Sequence, residues 1–296
     1  MAERRYEYAP ANTLPGLLQR GRGLGARMAA EDPASAAELV YGCIRWEWRW
    51  DRQVDDRALY LARLVRDLEL PLGPVVELLA GDEGACDRAT RVLELLALGG
   101  SGEAREALRA YVRDGGERRA EVLESVALVW PVEWWGDLTD AGPVPQEPAP
   151  HRRGRRDPLP EHGEVGDLAA LVAGLERCWV EQVWCGPDGL ARGLARFGAE
   201  AAGAASLLRR FWLWTPHSYE RAAYLEALAG VAPAGLAEVY VESLWDCEAD
   251  ARMLAVGRAP DTPEVRERLG YLSGDPMEDP GVREAARARR EARVDG

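Results

Sequence analysis

The chain has 296 residues, 47% of them hydrophobic, and a formal net charge of −13. Its length allows one large domain or two modest ones with a substantial core, and its acidic balance makes nucleic acid an unlikely partner. No stretch approaches the ~20 consecutive apolar residues of a membrane helix, and the five cysteines are odd in number and widely spaced. We therefore expect a cytoplasmic protein with reduced thiols and no membrane contact.

The composition favours helices throughout. Leu, Ala and Val dominate the apolar residues, while Phe occurs only twice, and Ala and Leu are the strongest helix formers. All 37 basic residues are Arg, which we attribute to a bacterial genome of high G+C content rather than to function.

The first 30 residues have little apolar periodicity and contain glycines at positions 21, 23 and 25. Glycine lowers helix propensity and tolerates many backbone conformations. We therefore expect a partly ordered N-terminal arm over residues 1–30 and a first helix near Pro33–Arg45.

An arginine then recurs with a period of 31 residues in two blocks of the sequence. The positions are Arg57, Arg88 and Arg119 in the first block and Arg221, Arg252 and Arg283 in the second. Acidic residues precede most of them, as at helix starts, and apolar residues follow at helical spacing. Two helices in each 31-residue unit predict a helical-hairpin repeat, which must stack to bury its apolar face.

A proline-rich segment separates the two blocks. Residues 141–166 contain six prolines, four arginines and almost no apolar periodicity, so we predict a Pro/Arg-rich linker or loop there. HEAT-like repeats are expected before it, over residues 31–140, and after it, over residues 167–296. One continuous solenoid with the linker looped out is the favoured arrangement, and two separate solenoids are the alternative.

One segment carries a family resemblance. Asp279–Ala286 reads Asp-Pro-Gly-Val-Arg-Glu-Ala-Ala, which resembles the Asp-Pro-x-Val-Arg-x-x-Ala signature of HEAT repeats; Asp250–Arg252 and Glu220–Ala223 are weaker matches. HEAT and armadillo units usually span ~40–47 residues, so the chain is similar to the short, HEAT-like variety of armadillo-type proteins. The resemblance implies an all-α fold, a right-handed α-solenoid of stacked antiparallel helical hairpins, and no particular activity.

The predicted binding site is built on tryptophan. Most of the eleven tryptophans are expected to fill the core, but three lie off the apolar stripe of their helix or at its expected end. With the neighbouring aromatic and acidic residues they give seven candidates: Trp46, Glu47, Trp48, Trp50, Glu133, Trp135 and Trp214. Indole rings beside carboxylates suit a basic surface, through cation–π contacts and ion pairing.

Signals for chemistry are absent from the sequence. His151 and His162 fall in the linker and His217 at a helix start, and the cysteine spacing matches no known metal-ligand pattern. There is no Gly-x-Ser-x-Gly elbow and no phosphate-binding loop. We therefore expect no catalytic residue, no metal and no cofactor.

These observations predict a scaffold or adaptor that binds another protein, with a basic or mixed-charge surface, through its concave face. The alternative is a HEAT-like DNA-processing enzyme of the alkylpurine glycosylase type, because an aromatic and acidic surface would also suit an alkylated base. The lack of a basic stripe for phosphate contacts counts against this alternative.

Overall fold

The computed structural model describes residues 7–141 and 167–292. Over these two ranges the fold contains sixteen α-helices and no strand, which confirms the predicted all-α class. Apart from its first residue, the linker predicted over residues 141–166 lies outside the described residues, as do His151 and His162. None of the described helices combines the length and apolar character needed to cross a bilayer.

Eight of these helices precede the linker and eight follow it. The first eight are α1 (Leu14–Gln19), α2 (Gly23–Glu31), α3 (Pro33–Arg45), α4 (Ala58–Asp67), α5 (Gly73–Glu77), α6 (Glu83–Leu98), α7 (Gly102–Arg113) and α8 (Arg119–Val129). The others are α9 (Asp167–Val180), α10 (Pro187–Ala195), α11 (Ala205–Trp214), α12 (Arg221–Val231), α13 (Ala237–Ser243), α14 (Ala249–Arg258), α15 (Pro263–Gly274) and α16 (Pro280–Glu291). Short 3₁₀ helices occur in several of the connections.

Local capping chemistry sets several helix starts. The Asp82 and Ser101 side chains accept hydrogen bonds from the backbone N–H groups of Ala85 and Ala104, at 2.8 and 3.1 Å. Thr262 and Asp279 likewise cap α15 and α16, each followed by proline at the first helical position. These side chains satisfy amide groups that have no partner within the helix, so the sequence alone fixes where the helices begin.

Helices that carry the 31-residue period lie next to one another. In the N-terminal block α4 contacts α6 and α6 contacts α8, while in the C-terminal block α12, α14 and α16 contact each other in that order, and α10, which lies outside the period, contacts α12. Most of them also pack against a chain neighbour, as in α3 with α4 and α15 with α16. Each block buries its own apolar core, represented by Leu93 and Leu108 in the first and by Leu228 and Leu269 in the second.

The N-terminal segment differs from the predicted arm. Residues 14–31 form α1 and α2, and Arg22 between them is only 1% exposed. A Cβ added at Gly23 would lie 2.0 Å from the carbonyl oxygen of Glu242, and Gly21, at φ +64°, packs against Cys247. The glycines therefore permit a close approach between segments.

Buried charged side chains join the two blocks. Arg22 lies 2.6 Å from the Glu242 carboxylate, and Arg63 lies 2.7 Å from Asp275 and 3.0 Å from Glu278. All five side chains are buried, and a buried charge is tolerated only when it is paired and hydrogen-bonded. These pairs hold the N-terminal helices against the C-terminal block.

Candidate functional site

The loop between α3 and α4, residues 46–57, lies where the two blocks meet. Trp48 packs against the N-terminal core, whereas Trp50 packs against the C-terminal core. Two side chains of the C-terminal block, Cys247 and Met277, belong in turn to the N-terminal core. The loop is therefore a bridge whose conformation depends on both blocks.

Asp55 anchors this loop to the C-terminal block. Its Oδ1 accepts hydrogen bonds from His217 Nδ1 at 2.8 Å, from Ser218 Oγ at 3.0 Å and from the Tyr219 backbone N–H at 3.0 Å. Its Oδ2 accepts one from the backbone N–H of Asp51 at 3.0 Å. A carboxylate with four donors is fully satisfied although it is buried.

The protonation states of this pair follow from their contact. Burial by itself raises the pKa of Asp55, but the hydrogen bond from His217 and the charge of Arg57 outweigh it, so the pKa falls well below its usual range. Burial has the opposite effect on a base and lowers the pKa of His217. The hydrogen bond and the charge interaction with Asp55 outweigh burial, so the pKa of His217 is raised overall. Asp55 is therefore an anion that orients the imidazole ring.

A cleft of about 470 Å³ opens beside the loop, between the two blocks. We call it the inter-block cleft. Its apolar wall is formed by Val92, Leu95, Val129 and Met277. Its rim is formed by Glu47, Trp48, Arg52 and Gln53. Its floor is formed by Asp55, Arg57, Glu248 and Arg252. Both the volume and this mixture of apolar wall and convergent polar groups are typical of binding pockets.

The floor of the cleft is held by Arg57. Its guanidinium donates to Ser218 Oγ, to Cys247 Sγ at 3.2 Å and to the carbonyl oxygen of Pro216 at 3.2 Å. Glu248 lies 3.9 Å from the same guanidinium, and its Oε1 forms a hydrogen bond with the Ser218 hydroxyl. The first arginine of the 31-residue period thus supports the cleft instead of contacting solvent.

Two carboxyl groups that line the cleft titrate near neutral pH. Burial raises the pKa of Glu248 to about 7, against the opposing hydrogen bond from Ser218 and charge of Arg57. Burial also raises the pKa of Glu94 to about 7, and its Oε1 has no hydrogen-bond partner among the described residues. Burial is thus the main cause of both shifts in pKa.

The structure places four predicted site residues in the bridging loop. Trp48 and Glu47 line the cleft, and Glu47 is paired with Arg49 at 2.7 Å. Trp46 is 44% exposed, and Trp50 is half-buried against the C-terminal core. Of these four residues only Glu47 and Trp48 therefore line the cleft.

The other three predicted residues do not line the cleft. Glu133 is exposed, while Trp135 is half-buried on the N-terminal core and donates from Nε1 to the carbonyl oxygen of Trp130 at 3.3 Å. Trp214 is 41% exposed at the end of α11, with its ring centroid 6.5 Å from that of Trp179. The seven candidates thus fall in three separate places.

Tyr8 and Arg20 connect two of these places. The rings of Tyr8 and Trp48 meet edge to face at 5.4 Å, and Arg20 stacks over the Tyr8 ring at 4.9 Å. Arg20 also donates from Nε to the carbonyl oxygen of Trp214 at 3.0 Å. Sequence analysis missed both residues, because it assigned them to a partly ordered arm.

Sequence analysis also missed a group of possible metal ligands. One ligand atom from each of Cys185, His217 and Glu220 lies within 4.8 Å of the others. The available signal was the His-Ser-Tyr-Glu segment at 217–220, because residues three apart in a helical turn point the same way. Cys185 could not be associated with it without the structure.

Comparison of the chain with protein-family models, with curated proteins and with solved structures gave no match. The similarity to HEAT-like repeats accordingly rests on the motifs of the sequence itself.

Proposed function

We propose that the chain is a short-repeat, HEAT-like α-solenoid that acts as a cytoplasmic scaffold or adaptor and binds a partner protein in the inter-block cleft. The solenoid part is supported by the 31-residue period together with the contacts between every second helix, from α4 to α8 and from α10 to α16. Stacked helical hairpins produce this combination, because each repeat contacts mainly its neighbours.

The cleft is the observation on which the binding function rests. It combines an apolar wall with polar side chains at the rim, including Trp48 and the exposed Arg52 and Gln53. Trp and Arg are enriched at binding hot spots, because they bury a large area and make directional contacts. A partner segment with an apolar side chain would cover Val129, which is 44% exposed on the cleft wall.

The net charge of the chain indicates which kind of partner surface it would bind. The net charge of −13 favours association with basic or mixed-charge surfaces over polyanions. Within the cleft the arginines already have acidic partners, as Arg49 has in Glu47 and Arg252 in Glu278. An anionic ligand would have to compete with these pairs, so a partner segment that offers basic and apolar side chains fits best.

A pair of neighbouring residues allows a controlled test. Val129 lines the cleft and Leu128, 46% exposed, does not, although both lie in the last turn of α8. Val129→Asp introduces a charge on the cleft wall, and Leu128→Asp introduces it beside the cleft. Tagged wild type and both variants would be used to capture partners from host lysate, with and without nuclease treatment, with mass spectrometry as the readout.

The proposal expects one protein to be recovered in stoichiometric amount with wild type and with Leu128→Asp. Its recovery should fall at least about tenfold with Val129→Asp, because the new charge would be desolvated in the interface. Equal recovery with both variants would exclude the cleft. Recovery that depends on intact nucleic acid and falls steeply with salt would favour the DNA-processing alternative.

A further inference from the structure

Three side chains with different ligand chemistry converge at the edge of the C-terminal block. Cys185 is exposed and lies just before α10, while His217 and Glu220 are buried in the turn that leads into α12. Their thiol, imidazole and carboxylate ligand atoms lie within 4.8 Å of one another, and His217 Nε2 lies 3.9 Å from Glu220 Oε1. Sulfur, nitrogen and oxygen ligands at this spacing form the donor set that zinc prefers.

The imidazole is oriented as a metal ligand. Its Nδ1 lies 2.8 Å from the buried Asp55 carboxylate, and its Nε2 lies 3.9 Å from Glu220 Oε1, so a proton held on Nδ1 leaves Nε2 for the ion. Histidines that bind metals almost always donate their second ring N–H to a carboxylate, carbonyl or water, which fixes both the tautomer and the ring. Asp55 therefore supplies the outer-shell contact that such a site requires.

The carboxylate of Glu220 is fixed in the same way. Its Oε1 accepts a hydrogen bond from the backbone N–H of Gly186 at 2.5 Å, and its Oε2 accepts from Tyr224 Oη at 2.5 Å and from the Asp188 backbone N–H at 3.3 Å. These donors hold the side chain against the start of α10, beside Cys185. Two of the three ligand side chains are thus positioned before any ion binds, which lowers the entropy lost on binding.

We propose that Cys185, His217 and Glu220 bind one divalent zinc ion, with Asp55 as the outer-shell partner of the histidine. Zinc lies about 2.3 Å from sulfur, about 2.0 Å from nitrogen and about 2.0–2.2 Å from oxygen. The three ligand atoms lie within 4.8 Å of one another, so they need to close by about 1 Å around such an ion.

The charges around the Cys185 thiol favour a role as a metal ligand over a role as a free nucleophile. The strongest charge interactions of Cys185 are with four acidic side chains, Glu220, Asp51, Asp188 and Asp55. Although Cys185 lies just before α10, these anions oppose the thiolate that a free nucleophile needs. Carboxylates instead attract a divalent cation, which then stabilises the thiolate as a ligand.

The site goes beyond the proposed partner binding and reaches the bridging loop. Asp55 and Asp51 belong to the loop, whereas the three ligands belong to the C-terminal block. An ion bound to Nε2 strengthens the hydrogen bond that Nδ1–H gives to Asp55. Zinc binding therefore stabilises the contact between the loop and the C-terminal block.

The test uses the full chain, freed of metal by a chelator and titrated with zinc alone. Isothermal calorimetry gives affinity and stoichiometry, and cobalt(II) as a spectroscopic probe reports a metal–thiolate bond by its charge-transfer absorption. Cys185→Ser and Glu220→Gln remove ligands with little change in shape. Cys178→Ser is the matched control, because Cys178 lies seven residues away and is not one of the three ligands.

Wild type and Cys178→Ser are expected to bind one zinc ion per chain, and Cys185→Ser and Glu220→Gln to lose at least about tenfold in affinity. The outer-shell variant Asp55→Asn is expected to lose roughly 10–100-fold. Circular dichroism of each variant establishes that it is folded. Wild type that binds no zinc, or Cys185→Ser that binds as tightly as wild type without loss of the cobalt–thiolate absorption, would overturn the proposal.

Discussion

Asp55 and His217 are 162 residues apart in the sequence, yet Asp55 Oδ1 lies 2.8 Å from His217 Nδ1. This contact joins the loop between α3 and α4 to the turn before α12, and so joins the two helical blocks at the edge of the inter-block cleft. Because Asp55 also accepts hydrogen bonds from Ser218 and Tyr219, one carboxylate organises both the cleft and the proposed zinc site.

Asp55→Asn should lower the free energy of unfolding by about 3 kcal/mol, because charge-assisted hydrogen bonds to a buried group are lost. The folded pKa of Asp55 is lowered, so its stabilising contribution is present above the usual value of 3.8 and is lost as the pH falls. Urea unfolding at pH 7 and pH 2 measures both effects, because the contribution of Asp55 is lost only below the usual value of 3.8. Asp56→Asn is the control: Asp56 is exposed and accepts only a local hydrogen bond from Ala58.

Arg252→Met tests the buried pairs of the C-terminal block. Arg252 lies 2.6 Å from Glu278 and donates to the carbonyl oxygens of Asp246 and Cys247. Its removal leaves Arg63 as the remaining cation beside the buried Glu278 carboxylate and should cost about 3–5 kcal/mol. The exposed pair of Arg266 with Asp261 has a similar distance, 2.9 Å, and Arg266→Met should cost less than about 1 kcal/mol. Equal losses in thermal unfolding would contradict burial as the cause.

Gly23→Ala tests whether the N-terminal segment packs closely against α13. The added methyl group would meet the carbonyl oxygen of Glu242 at 2.0 Å, so we expect a loss of at least about 2 kcal/mol. Gly42→Ala in α3 has nothing within 4 Å and should stabilise the helix by about 0.5–1 kcal/mol. If the two substitutions shift the unfolding midpoint in the same direction, the close approach at Gly23 does not exist in solution.

Glu94 makes stability depend on pH near neutrality. Its folded pKa is raised from 4.5 to about 7 by burial, so the proton binds more tightly in the folded state. The contribution of protonated Glu94 to the free energy of unfolding is present below pH 4.5 and is lost as the pH rises towards and through about 7. This contribution is at most about 3 kcal/mol. Glu94→Gln should therefore lose less stability than wild type between pH 5 and pH 8. The exposed Glu124→Gln should follow the wild-type profile.

The helices could be predicted from sequence because their causes are local. Capping at Thr262 and Asp279 and apolar residues at helical spacing act within a few positions of the chain. The 31-residue period extends this to order along the chain, because α12, α14 and α16, which carry it, contact one another in sequence order.

Features that depend on how the two blocks meet could not be predicted. The glycines at 21 and 23 are compatible with either flexibility or close approach, and only the neighbouring Glu242 and Cys247 decide between them. The clustering of Trp46, Glu47 and Trp48 is visible in the sequence, but the cleft that it borders is formed by residues from both blocks. The contact of Asp55 with His217 has no local signal.

The most direct test of partner binding in the inter-block cleft is site-specific photo-crosslinking in the host. A photoreactive amino acid would replace Arg52, an exposed residue on the rim of the cleft, or Leu128, an exposed residue outside it. The account predicts one crosslinked protein from position 52 that is absent from position 128 and lost when Val129→Asp is added. The same crosslinks from both positions, or a crosslink from position 52 that survives Val129→Asp, would contradict it.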